Sequence, residues 1–241
     1  MKRAPLAAPA MTMLSLVVLT ACGGAADSDA VADKPKASVS STPQVSPAVR
    51  IAKLMVTDAD VDGFTVRKPT TEFVFAKSRD EVTVNKQACA SLAYAMNQLP
   101  LGDPQAVLTR VAGAKESGDF DGFTYITLAA YGSDGAKKAM ADVSKAVKAC
   151  AGGFTAKASG GTTTYGSVTS EQVTAAGDES LGFKATMSFR GATHTMHTEV
   201  VRSADVIGVY FSVNGIAIAN ARPSDAKLPA PVVAAQSAKL R

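Results

Sequence analysis

The placement of three cysteines, Cys22, Cys89 and Cys150, constrains this chain more than any other feature. Cysteines restrict a fold only once the compartment is known, because disulfides persist in oxidising surroundings and free thiols in reducing ones. The N-terminus addresses that question. Lys2 and Arg3 precede an apolar run over residues 11–21 and then a small-residue site, which is the order of a secretory signal. A membrane-spanning helix is the competing reading, since no charge falls between Ala4 and Ala26. Pro5 and Pro9 interrupt that interval, however, and its firmly apolar part is well short of the ~20 residues a span needs.

The residues before Cys22 sharpen the reading. Leu19, Thr20, Ala21 and Cys22 resemble the bacterial lipobox, in which the cysteine is diacylated on sulfur and the signal is cut just before it. Two or more acyl chains are what stable anchoring requires, since one gives only marginal, reversible binding. Cys22 is therefore expected to be a lipid anchor that holds the chain to the extracytoplasmic side of the cell membrane. Cys89 and Cys150 remain as an even pair in an oxidising compartment and should form one disulfide. Two buried free thiols, the alternative, suit an exported chain less well.

Residues 1–21 are thus read as signal peptide, and residues 22–47 as the lipidated cysteine and a flexible tether. The segment "GGAADSDAVADKPKASVSSTPQVSP" has no aromatic residue and no Leu, Ile or Met, so it cannot bury enough to offset its ordering entropy. A flexible chain of ~25 residues has an r.m.s. reach of roughly 25–30 Å. Residues 48–241 should form the extracytoplasmic domain. Removing Lys2 and Arg3 from 25 basic residues, against 21 acidic ones, leaves a mature chain of only about +2, which gives no nucleic-acid signal.

Within the domain, "AVRIAKLMV" predicts a short amphipathic helix with Ile51, Leu54 and Met55 on one face. A second helix is expected after Asn85, read as its N-cap, with Cys89, Leu92, Ala93 and Met96 facing inward. Strands are expected over 106–112 and 122–131. The clearest helix follows, with Ala136, Met140, Val143, Val147 and Cys150 as its apolar stripe and Lys137, Lys138, Lys145 and Lys148 as its solvated face. "LGFKATMSFR", "ATHTMHTEVVRS" and "VIGVYFSV" predict a three-stranded antiparallel meander, and "PAPVVAAQSAKLR" a terminal helix opened by proline. The expected fold is α+β: a single two-layer domain, an antiparallel sheet with helices packed on one face, and one disulfide.

Chemistry is sparse. "DADVDG" at 58–63 copies the first half of a calcium loop, but Pro69 stands where the bidentate Glu belongs, so a polar helix-to-strand turn is expected. His194 and His197, at i and i+3 in a strand, point to opposite faces and are expected to be exposed. Ser180, His197 and Asp205 are in an order compatible with a hydrolytic triad, but nothing in their surroundings selects them. No catalytic residue, metal site or cofactor is expected.

The order of features resembles a known family. A lipobox and tether are followed by "TDADVDGFTV", "KQACASLA", "AVKACAGGF", "GDESLGF", "VVRSADVIGVYF" and "AQSAKL", covering residues 48–240. Together they resemble actinobacterial lipoproteins related to the extracellular sensor domain of mycobacterial PknH-type receptor kinases. The resemblance implies an α+β module with a cleft beside its sheet and a role as an extracytoplasmic sensor or ligand-binding domain. It also implies Cys89 and Cys150 as a structural bridge. This chain departs from the family in allowing one disulfide rather than several and in carrying no kinase domain. The expected function is a lipid-anchored binding or sensor-type lipoprotein without catalysis, taking an unknown small molecule or envelope ligand. The alternatives are a structural or partner-binding envelope protein and, further off, a cell-envelope hydrolase.

Overall fold

In the computed structural model, residues 45–71, 74–116, 122–158 and 161–241 are described. Cys22, the signal peptide and the tether up to residue 44 lie outside them. The described residues belong to one compact unit, Pro43–Arg241.

Central strands set the architecture. β4 (Phe123–Ala130) and β9 (Val206–Val213) are buried along nearly their whole length, so both of their faces are covered. Tyr125 and Ala129 of β4 point into one core with Ile207, Val209 and Phe211 of β9. Ile126, Leu128 and Ala130 point into another with Val206 and Tyr210. The remaining strands are β1 (Phe64–Arg67), β2 (Thr83–Val84), β3 (Ala106–Ala114), β5 (Phe154–Ala158), β6 (Gly161–Glu171), β7 (Glu179–Phe189), β8 (Ala192–Ser203) and β10 (Ser224–Ala226). They form one sheet in the order β1-β3-β4-β9-β8-β7-β6-β5-β2, with β10 added parallel to β8. The other pairings are antiparallel, and the expected meander is β7-β8-β9.

The α+β class, the antiparallel sheet and the single disulfide agree with the sequence reading. The placement of the helices on one face does not. α2 (Ala90–Ala95) and α3 (Gly135–Ala149) cover the first core, whereas α1 (Pro47–Leu54) and α5 (Ala230–Lys239) cover the second. α4 (Gly215–Ala219) is a short helix between β9 and β10. A sheet whose central strands are apolar on both faces needs cover on both, and α1 and α5 supply the second layer of helices.

The first core is closed by the Cys89–Cys150 disulfide, with both residues fully buried and Cα atoms 5.9 Å apart. It joins the single turn Gln87–Cys89 to the end of α3, whose apolar stripe is buried as expected and whose four lysines are exposed. Asn85 does not cap α2. Its side-chain Oδ1 accepts from the Thr155 amide at 2.8 Å and its own amide donates to the Thr155 carbonyl at 3.0 Å, so it extends the β2–β5 pairing instead.

The second core is tied by polar contacts at its helix ends. Ser46 caps α1 through the Val49 amide, and Pro47 opens the helix. Arg50 grips both carboxylate oxygens of Asp205, one at 2.6 Å, and fixes α1 to the β8–β9 turn. Gln236, fully buried on α5, accepts from the Val56 amide at 3.0 Å and donates to the Leu54 carbonyl at 2.8 Å. These two backbone groups at the end of α1 would otherwise be orphaned. The 58–63 segment is the expected polar turn: Asp60 Oδ2 accepts from the Thr57 amide and from Lys239 of α5, and Asp58 accepts from the Val66 amide of β1.

Candidate functional site

A cleft of about 700 Å³ opens on the sheet face that carries α5. Its floor is β8 at His197 and Glu199, one wall is the loop that follows β6, and the other is α5 with the residues leading into it.

Strand register explains the floor. On this face Glu171 of β6 lies opposite Gly182 of β7, Gly182 lies opposite Glu199 of β8, and Glu199 lies opposite Tyr210 of β9. Gly182 is the break in that row. A Cβ there would overlap Cγ1 of Val173, so the missing side chain is the space into which the loop after β6 folds. Gly177 returns the loop to the sheet with φ +61°, and a Cβ at that position would overlap the Arg202 carbonyl oxygen. Asp178 then closes the loop by accepting from the Ala204 amide and from Arg202, each at 2.8 Å.

His197 stitches three strands together. Its Nδ1 is 2.6 Å from Glu171 Oε2 and its Nε2 is 2.6 Å from Asp225 Oδ1 of β10. A ring flanked by two carboxylates satisfies both only when both nitrogens carry protons. The hydrogen bond from His197 is the leading cause that holds the Asp225 carboxyl below the ordinary range. Lys184, the cross-strand partner of His197, adds positive charge near Asp225. Neither histidine is exposed, contrary to the sequence expectation: His194 is fully buried against Ser224 Oγ at 2.9 Å, and His197 is 8% exposed. They do point to opposite faces. Their burial comes from β10, which pairs with the N-terminal half of β8.

Glu199 is the unusual group. It is 6% exposed, it lines the cleft, and among the described residues no hydrogen-bond donor reaches its carboxyl. Burial alone pushes its pKa up to about 7. Beside it, the Tyr210 hydroxyl is 3.2 Å from Ser237 Oγ of α5. Val173, Leu228 and Val233 give the walls an apolar character, while Lys227 and Arg241 stand among the cleft residues as cationic groups. Such a concavity can hold a small molecule with an apolar body and a few polar groups.

The other sites read from the sequence fall elsewhere. Ser180 is the register partner of Val201, four residues along β8 from His197, which is about 13 Å at strand spacing. Asp205 is engaged by Arg50. The Ser180, His197 and Asp205 trio is therefore not assembled. Cys89 and Cys150 are structural and lie with the opposite core. Glu171, Glu199, Asp225 and Ser237 were not singled out by the sequence, where the one local cue is Glu199, the only acid in its strand, two residues from His197.

No protein-family model matches the chain, and no curated protein does either. Solved structures are more informative. The extracellular domain of PknH from Mycobacterium tuberculosis aligns over 78% of this chain and 91% of that one, with a TM-score of 0.51 at 12% identity. The two share a fold. The X-ray structure of an uncharacterized protein from Mycobacterium smegmatis, the Rv0999 ortholog, aligns over 79% of this chain and 95% of that one at 11% identity, with a TM-score of 0.37. Among the described residues, no helix is long and apolar enough to cross a membrane.

Proposed function

We propose that this chain is an extracytoplasmic binding or sensor-type domain without catalytic activity, held to the membrane through a lipid on Cys22 and binding its ligand in the cleft between β8 and α5. The observation that carries the reading is the cleft itself: about 700 Å³, walled by apolar side chains and floored by a buried acid that no hydrogen-bond donor reaches among the described residues. A fold shared with a domain that is extracellular in PknH supports the compartment, as do the signal-like N-terminus and the disulfide.

The partner-binding alternative draws less support. The edge strands β1 and β2 are four and two residues long, and of the exposed large apolar residues Val45, Val49, Val107, Phe189 and Ile216 only Val45 and Val49, at the start of α1, are near each other in the chain.

The test is mass spectrometry of small molecules retained by protein extracted from membranes, comparing wild type with Ala234→Trp. Ala234 is an exposed α5 residue that lines the cleft, so an indole there fills the cavity without disturbing the core. A molecule held by wild type and lost from the variant supports the reading. Equal retention by both would place binding elsewhere.

A further inference from the structure

Glu199 asks for a specific kind of ligand. A carboxylate held largely out of water is costly to ionise unless a counter-charge or donors reach it, and among the described residues neither does. The groups that face it are accounted for. His197 on the same strand is committed to Glu171 and Asp225. Tyr210 on β9 is turned to Ser237 on α5. Lys227 ahead of α5 lies 3.7 Å from Asp225, with its side chain 73% exposed, and Arg241 follows the helix as an exposed residue. The cleft therefore presents an acid with its acceptor capacity unused, and beside it Ser237 can supply a second oxygen.

We propose that the cleft binds a small organic cation, a primary ammonium group on an apolar body, with the ammonium seated on the Glu199 carboxylate and the body against Val173, Leu228 and Val233. The ammonium has three donors and one charge, which matches one carboxylate and a neighbouring hydroxyl. A divalent metal ion suits the site less well, because among the described residues no three acidic, histidine or cysteine side chains converge to hold one. The inference deepens the binding reading above and rests on it.

The experiment is isothermal titration of the processed, lipid-bearing chain in nanodiscs, with empty nanodiscs subtracted, using hexylammonium, hexanol and hexanoate as probes. Hexylammonium should bind at least tenfold more tightly than hexanol at pH 8, and hexanoate should be the weakest. Glu199→Gln should remove at least nine-tenths of the hexylammonium affinity and far less of the hexanol affinity. Because Glu199 is ionised above about 7 and protonated below it, wild-type affinity should fall about tenfold between pH 8 and pH 6. In Glu199→Gln it should stay flat over that interval. Thermal unfolding of each variant checks that it is folded.

Equal binding of hexanol and hexylammonium, or tighter binding of hexanoate through Lys227 and Arg241, would overturn the ammonium assignment and leave the cleft as a binding site. No hexylammonium binding would also overturn the assignment. Undiminished binding by Ala234→Trp would instead overturn the cleft reading, so the two failures are distinguishable.

Discussion

Replacing Glu199 with Gln should make the unliganded protein more stable at neutral pH, and the size of the gain should depend on pH. Burial raises the carboxyl from an ordinary value of 4.5 to about 7 in the folded state. Between those values the folded chain keeps a proton that the unfolded chain has released, so stability falls as pH rises through that window. The penalty is absent below 4.5 and complete above about 7. At ~1.4 kcal/mol for each pH unit it reaches roughly 3 kcal/mol, an upper figure because solvent relaxes around a group at a cleft. For a domain of this size 1 kcal/mol moves Tm by about 2–4 °C, giving up to about 6–12 °C. Gln has nearly the same shape and no charge, so thermal unfolding of the two proteins should nearly coincide at pH 4 and diverge toward pH 8, with Gln the more stable. The comparison cancels contributions from Asp178, Asp205 and Asp225, whose lowered values cost stability only in acid. Melting curves that run parallel from pH 4 to 8 would refute the argument, because they would mean Glu199 is solvated or paired in the folded state.

Other perturbations probe the scaffold. Replacing both Cys89 and Cys150 with Ala frees a loop with a sequence separation of 61 residues and should cost about 4 kcal/mol in the chain-entropy model, read from urea unfolding. Gly182→Ala should push Val173 off the sheet, lower stability by about 1–3 kcal/mol and weaken cleft binding, as seen by melting and titration of the same sample. Gln236→Leu strips a donor from the Leu54 carbonyl and an acceptor from the Val56 amide, and should cost about 2–4 kcal/mol in denaturant unfolding. Arg50→Ala should cost only about 1 kcal/mol, since the Arg50 and Asp205 side chains are 38% and 34% exposed. Its loss should also flatten the acid limb of the stability profile, because the Arg50 hydrogen bond is the leading cause that lowers Asp205.

Local periodicity was enough for some elements. The alternation in "LGFKATMSFR" sets Phe183, Ala185, Met187 and Phe189 on one face, of which Phe183 and Ala185 are buried and Phe189, at the strand end, is exposed, and the stripe from Ala136 to Cys150 identified α3 and its buried end of the disulfide. The second helical layer left a subtler trace. "FTYITLAA" and "VIGVYFSV" are mostly apolar without strict alternation, which is how a strand covered on both faces reads, yet nothing local says that α1 and α5 provide the cover. Asn85 has the chemistry of a cap, and tertiary pairing with Thr155 overrode it. The cleft was least legible. His197 and Glu199 share a face by simple alternation, but their burial depends on Asp225 and Ser237, which reach them through a parallel pairing and a helix well over twenty residues further along the chain.

The most direct test of the account as a whole is intact-mass spectrometry of the protein extracted from the membranes of the cells that make it. The account predicts a chain beginning at Cys22, heavier by a diacylglyceryl group and lighter by two hydrogens for the Cys89–Cys150 bridge. A chain that begins at Met1, or one with an unmodified Cys22 recovered from the soluble fraction, would contradict it.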